Sequence, residues 1–226
     1  MAIKLVLPKK ENLMPLKYEY IDSTIDQYYR PIQGNLMSKR LTMALSLIPD
    51  KKVERILDVG YGGGQFVPSL ATISKEPIYG IDTLPQPERV AELLEKDGYK
   101  TNLIEGSVFN MPYKDDFFDG IVCISVMEHF KGKELNTATK EMYRVLKPGG
   151  WLVYGFPVKN PLTDFIIQNF LGFKPDHIHP SSHKQIIQGI ADEVKIDKVV
   201  HFFWWMPRDL SLYCCVRVVK PKTKNK

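Results

Sequence analysis

Asp58, Gly60, Gly62 and Gly64 carry the densest chemical signal in the chain: the apolar run Ile56-Leu57-Asp58-Val59 leads into glycines at alternating positions. Glycine takes positive φ readily and lets a backbone approach a ligand with no Cβ in the way. A turn from a strand into a helix also presents free N–H groups, which suits a nucleotide-type ligand. A dinucleotide loop reads G-x-G-x-x-G, and here Gln65 stands where its last glycine would fall. The loop therefore fits a nicotinamide or flavin cofactor poorly, and an NAD(P)-dependent oxidoreductase is the disfavoured reading. About twenty residues on, Asp82 closes the run Ile78-Tyr79-Gly80-Ile81. An acid at that place can accept both hydroxyls of a ribose; the alternative is a cap for the turn that begins at Thr83.

The acidic-x-G-x-G-x-G spacing resembles the loop of the class I S-adenosylmethionine-dependent methyltransferases, of the small-molecule, type 11-like kind. Asp82 is the second segment in the family's order. The third is Glu105-Gly106-Ser107-Val108-Phe109-Asn110-Met111-Pro112-Tyr113, and the fourth is Val126-Met127-Glu128-His129. The resemblance implies S-adenosylmethionine as cofactor, held by Asp58, Gly60, Tyr61, Gly62, Gly64, Asp82, Thr83, Ser107, Val108 and Ser125. In the family an acid receives the adenine amino group where this chain has Ser107, and the next backbone N–H, that of Val108, binds a ring nitrogen. A hydroxyl can still accept one such bond. His129 is the candidate general base, since imidazole transfers protons near neutral pH. Tyr28, Tyr29 and His177 are candidates for contact with the acceptor. The implied reaction is methyl transfer to a small molecule, a sugar or a lipid or quinone precursor; the alternative is a protein that binds S-adenosylmethionine without transferring its methyl. Ser125-Val126-Met127-Glu128 replaces the N/D-P-P-Y turn of enzymes that methylate DNA bases or glutamine, which disfavours those acceptors.

The elements that must position these residues follow from periodicity. Leu36, Met37, Leu41, Ala44, Leu45 and Ile48 space like one helix face, so residues 1–52 read as a helical N-terminal cap. Strands are expected at 55–59, 77–81, 101–105, 119–126 and 150–156, with helices at 67–74, 88–97 and 136–146 between them. This alternation predicts an α/β, doubly wound, mostly parallel sheet. Lys147-Pro148-Gly149-Gly150 reads as a stop and turn. Residues 157–190 read as a helical insertion on the substrate side, with Ser182 and Gln185 spaced as a capping box. Runs at 198–205 and 210–219 predict a closing hairpin, with Phe202-Phe203-Trp204-Trp205-Met206 most simply packed in the sheet; an amphipathic, lipid-facing run and a homodimer interface are the alternatives. The resemblance adds the Rossmann-like methyltransferase fold: seven strands, the last antiparallel.

At 226 residues, 44% hydrophobic and 25% charged, the chain suits one domain over residues 1–226. Neither a signal-peptide pattern nor an apolar run near the ~20 residues of a spanning helix is present, so a cytoplasmic protein is expected. Cys214 and Cys215 are adjacent in a strand-like run and point to opposite faces, which argues against a disulfide framework. Much of the net charge of +5 lies in the last seven residues, and without a basic stripe in the folded part no DNA partner is expected. His177, His179 and His183 lack a supporting carboxylate or cysteine cluster, so no metal site is expected.

Overall fold

The computed structural model describes residues 3–14, 17, 18, 21, 22, 27–83, 86–166, 169, 180–203, 205 and 207–222. Seven strands form the main sheet: β1 (Ile56–Val59), β2 (Ile78–Asp82), β3 (Thr101–Glu105), β4 (Phe118–Ile124), β5 (Leu146–Pro157), β6 (Ile196–His201) and β7 (Tyr213–Val219). Their spatial order is β3-β2-β1-β4-β5-β7-β6. Pairings from β3 through β5 are parallel, whereas β7 pairs antiparallel with both β5 and β6. Only β7 runs against the rest, as the family resemblance implied.

All four residues of β1 are buried, because helices cover both faces of the sheet and leave no wet side for polar alternation. Leu57 and Val59 point into one apolar cluster, shared with Leu135, Ala138 and Met142 of α4 (Lys133–Val145) and with Ile186 and Ile190 of α6 (His183–Ala191). Ile56 faces the opposite cluster, built by α1 (Pro31–Leu45), α2 (Val67–Ala71) and α3 (Pro87–Glu95) through Met37, Leu41, Leu70 and Leu94. Period 2 along the strand therefore places Asp58 on the α1 side. The capping box forms as expected: the Ser182 hydroxyl accepts from the Gln185 N–H while the Gln185 side chain accepts from the Ser182 N–H.

The segment before residue 52 is part helix and part extended strap. Residues 3–14 lie across α2 and α3: the Val6 N–H and carbonyl both bond the Ser69 hydroxyl at 2.9 Å. Farther along, the Lys9 N–H and the Asn12 amide each donate to Asp97 at 2.7 Å. A two-stranded hairpin, Lys17–Tyr18 with Ile21–Asp22, follows.

Among the expected boundaries that moved, two have a structural cause. The turn signal at 147–150 does not separate helix from strand; α4 ends at Val145 and β5 begins at once. Those residues form an irregularity inside the strand, between the pairs Phe118↔Leu146 and Gly120↔Trp151. Gly149, at φ 81°, donates to the Lys220 carbonyl at 2.7 Å, so the turn is absorbed by pairing with the end of β7. At the other boundary, β6 stops at His201 rather than residue 205. Phe202 is half-buried against the core, but Trp205 is 67% exposed, so the aromatic run is not wholly a packed strand. The expected insertion contains α5 (Pro161–Ile166) and α6, whereas His177 and His179 lie outside the described residues.

Candidate functional site

The carboxyl ends of β1, β2, β3 and β4 open at one edge of the sheet. Between β1 and β4 the winding reverses, because the chain travels outward to β3 and returns to the other side of β1. In doubly wound sheets such a crevice is where ligands bind.

The glycine loop spans that crevice with three positive φ values, 75° at Gly60, 52° at Gly62 and 83° at Gly64. The three glycines serve different ends. A Cβ on Gly60 would stand 2.2 Å from Val126 Cγ2, so glycine lets the loop press against the turn after β4. The Gly62 N–H donates to Asp82 Oδ2 at 2.9 Å, which locks the loop to the end of β2. A Cβ on Gly64 would lie 2.6 Å from Leu94 Cδ1; this position answers to helix packing against α3. Tyr61 likewise turns inward. Its ring covers Gly80, where a Cβ would come within 2.7 Å of it, and burial pushes its phenol pKa up. Its hydroxyl has no hydrogen-bond partner among the described residues. Of the expected cofactor residues, Tyr61 and Gly64 can thus offer only backbone, while Thr83 sits exposed beyond Asp82.

At the end of β3 the Gly106 N–H donates to the Asp82 carbonyl at 2.8 Å, joining the two strand ends. The Ser107 hydroxyl accepts from the Phe109 N–H at 3.3 Å and so closes its own turn; Val108 is buried. Arg144 of α4 anchors the next stretch by donating to the Met111 and Tyr113 carbonyls at 3.2 and 2.9 Å.

After β4 the chain enters a strained turn: Ser125 has φ 58°, a value uncommon outside glycine. Its N–H donates to the Gly155 carbonyl at 2.7 Å, and its hydroxyl shares a 2.8 Å hydrogen bond with the Tyr213 hydroxyl. Arg40 completes the cluster, donating through Nη1 to Ser125 Oγ at 3.1 Å and through Nη2 to the Tyr28 hydroxyl at 2.7 Å. Of the two candidate tyrosines, Tyr28 joins this network, whereas the Tyr29 hydroxyl donates to the Pro8 carbonyl in the strap. Gly34 explains the placement of Tyr28, since a Cβ there would come within 2.3 Å of the Tyr28 carbonyl.

Charge is concentrated here. Asp58 is 3% exposed and Glu128 2% exposed. Burial, helped by Asp82, pushes the Asp58 carboxyl up to about 7. Burial also raises Glu128, although His129 and Arg40 act against it. The Cys123 thiol is pushed far up by burial and then by Glu128 and Asp58. Burial penalises the Arg40 guanidinium too, but the Tyr28 and Tyr213 hydroxyls and Glu128 more than offset that and keep it charged. Arg40 Nε and Glu128 Oε2 are both buried without a hydrogen-bond partner among the described residues. Buried polar atoms of native proteins are rarely left unpartnered. An orphan donor and an orphan acceptor of opposite charge suit a ligand carrying both a carboxylate and an ammonium, and the extra carboxylate of Asp58 suits further positive charge.

His129 lies exposed at the end of a 3-10 turn, Met127–His129. That turn is tied to the start of α6, where Ser181 donates to the Glu128 and Phe130 carbonyls. Among the described residues no group of three His, Cys, Asp or Glu could hold a metal ion. Arg40 was absent from the sequence expectations, yet it had a signal. It falls three residues after Met37 and four before Ala44, a lone cation on the apolar face of α1.

Sheet order, glycine loop and the acid at the end of β2 are those of the class I S-adenosylmethionine-dependent methyltransferases. Residues 57–154 match the family described as a methyltransferase domain. Among curated relatives, a 24-methylenesterol C-methyltransferase of Arabidopsis thaliana is 35% identical over 49% of this chain and 31% of its own length. A ubiquinone biosynthesis O-methyltransferase of Pseudomonas putida is 27% identical over 58% of this chain and 53% of its own. The chain thus spans about a quarter to a half of the curated relatives it matches. An N-methyltransferase of Bradyrhizobium japonicum, solved with S-adenosyl-L-homocysteine, shares the fold with a TM-score of 0.60. It is 19% identical, and the match covers 85% of this chain and 89% of that one.

Proposed function

We propose that the protein transfers a methyl group from S-adenosylmethionine to a small-molecule acceptor with a largely apolar body, of the sterol, alkaloid or quinone kind. The observation that carries this reading is the buried pair Arg40 and Glu128, opposite charges at the strand-order reversal, each with an unpartnered polar atom. When bound, S-adenosylmethionine supplies an electrophilic sulfonium methyl. Everything else asked of the chain is to bind, orient and exclude water, and good positioning alone supplies on the order of 7–11 kcal/mol.

Asp82, steadied by the Gly62 N–H, is assigned the ribose hydroxyls, and Ser107 with the Val108 N–H the adenine edge. Arg40 is assigned the carboxylate, while Asp58 and Glu128 face the positive charges. On the acceptor side stand Tyr28 and His129, and His129 takes the proton when the attacking group is a hydroxyl. This chain is similar to proteins named for C-, O- and N-methylation, so the atom methylated depends on the acceptor's fit and on whether a base is required.

Titration calorimetry with S-adenosylmethionine and, separately, NAD tests the cofactor assignment; saturation by NAD alone would overturn it. Formation of S-adenosylhomocysteine is then measured across sterol, alkaloid and quinol acceptors. Tight cofactor binding with no turnover on any of them would favour a binding protein. For His129→Gln we expect unchanged cofactor affinity with kcat reduced about 100-fold or more on a hydroxyl acceptor; normal turnover removes it as the base.

A further inference from the structure

Around the mouth of this site lies an apolar face that the methyl-transfer reading does not use. α5 follows β5 at the carboxyl edge of the sheet, and Leu162 and Phe165 on it are 47% and 58% exposed. The connection from β6 to β7 crosses the same edge and exposes Trp205 at 67% and Leu210 at 54%. Hydrogen bonds hold the two elements together: the Asn160 amide donates to the Asp209 and Ser211 carbonyls at 3.1 and 2.7 Å, and the Thr163 hydroxyl to Ser211 at 3.3 Å. A chain of rings extends the face toward α1, with Trp205 5.9 Å from Phe203 and Phe203 5.1 Å from Phe202. Lys39 of α1 sits 4.5 Å over the Phe202 ring, and Ile32, seven residues earlier on the same helix face, is 71% exposed.

Soluble proteins seldom leave large aromatic and aliphatic side chains grouped in water. The charges around this group favour one occupant. Lys39, Lys159 and Arg208 lie on its elements, and Lys184 at the adjoining start of α6, against two acids, Asp164 and Asp209. Asp209 is already engaged by Lys184 at 2.7 Å and by His183 at 3.0 Å. A surplus of cations beside an exposed tryptophan, phenylalanine and leucines is the pattern of a surface that sits in a lipid interface, apolar groups among the acyl chains and cations at the headgroups. Among the described residues no helix is long and apolar enough to cross a membrane, so contact from these elements would be peripheral.

We infer that this face, from α5 across the β6–β7 connection to the outer side of α1, docks the protein on an anionic bilayer surface. The site then opens toward the membrane. An apolar acceptor can pass into it from the bilayer without crossing water; that consequence rests on the methyl-transfer reading, whereas the docking does not.

The test is flotation of the full chain with vesicles of phosphatidylglycerol and phosphatidylcholine, and with phosphatidylcholine alone, at low and high salt. Binding to the anionic vesicles is expected, weakened by salt. A Trp205→Asp, Phe165→Asp double variant should partition at least about tenfold less, with its S-adenosylmethionine titration and melting temperature unchanged. A Lys39→Glu, Lys184→Glu variant keeps the apolar side chains and should lose the preference for anionic lipid. No flotation with anionic vesicles, or flotation undiminished in both variants, overturns the inference. So does sedimentation showing a dimer that the Trp205→Asp, Phe165→Asp variant dissociates, because the face would then belong to a second copy. The cofactor titration is independent of lipid, so failure here leaves the methyl-transfer reading to its own test.

Discussion

Arg40 and Asp58 bear most directly on ligand binding, and each has a distinct expected signature. Arg40 holds Tyr28 and Ser125 in place and leaves Nε for a ligand. Replacing it by Met removes charge-assisted hydrogen bonds worth about 1.5–3 kcal/mol, so S-adenosylmethionine should bind roughly ten- to a hundredfold more weakly by calorimetry. Adenosine, which lacks the amino-acid part, should lose far less. Asp58 gives a pH signature. Its carboxyl titrates near 7 in the folded chain against an ordinary 3.8. Between those values the folded state keeps a proton that the unfolded state releases, so stability contributed at this site falls as pH rises through the window. Affinity for a cationic ligand moves the opposite way, rising as Asp58 ionises. Titrations at about pH 6 and about pH 8 should show tighter S-adenosylmethionine binding at the higher pH, and Asp58→Asn should flatten the difference.

At the scale of elements, the turn after β4 depends on its neighbours more than on its own sequence. Ser181, just before α6, donates to the carbonyls of Glu128 and Phe130, while Ser182 caps the helix. Ser182→Ala leaves the Gln185 N–H without its acceptor and should cost about 1 kcal/mol. A fall in melting temperature of roughly 2–4 °C is expected for a chain of this length. Since α6 backs the turn that presents Glu128, catalytic efficiency should fall somewhat more than cofactor affinity in that variant. Equal stability to the parent would show that the cap is dispensable.

Across the whole molecule, the N-terminal strap fastens α1 and the two tyrosines that precede it to the sheet's helices. Asp97 is the main clasp, accepting from both the Lys9 N–H and the Asn12 amide, with a side chain only 5% exposed. Asp97→Ala strands two donors and should cost about 1–3 kcal/mol. Limited proteolysis should then cut within residues 3–14 under conditions where the parent resists. The strap also carries Tyr29 on Pro8, so its release should reach Tyr28 and Arg40 next door and weaken S-adenosylmethionine binding in parallel. Unchanged proteolysis would mean that Ser69 and Leu13 hold the strap without Asp97.

Features set by local spacing were legible in the sequence. A two-residue period marks strands, a 3.6-residue period marks helices, glycines at alternate positions mark the loop, and Ser182 with Gln185 marks a helix start, because each is a relation among near neighbours. The seven-strand order was inherited from resemblance, and the structure bears it out. Tertiary structure alone decided the rest, since those outcomes join residues far apart. Arg40 meets Ser125 across 85 positions. Gly64 answers to Leu94 on another helix, Tyr28 and Tyr29 part company over Pro8, and the turn at 147–150 became part of a strand because Lys220 pairs with it. A short window of sequence states what a residue can do; which distant group it meets is fixed only when strand order and helix packing bring the two together.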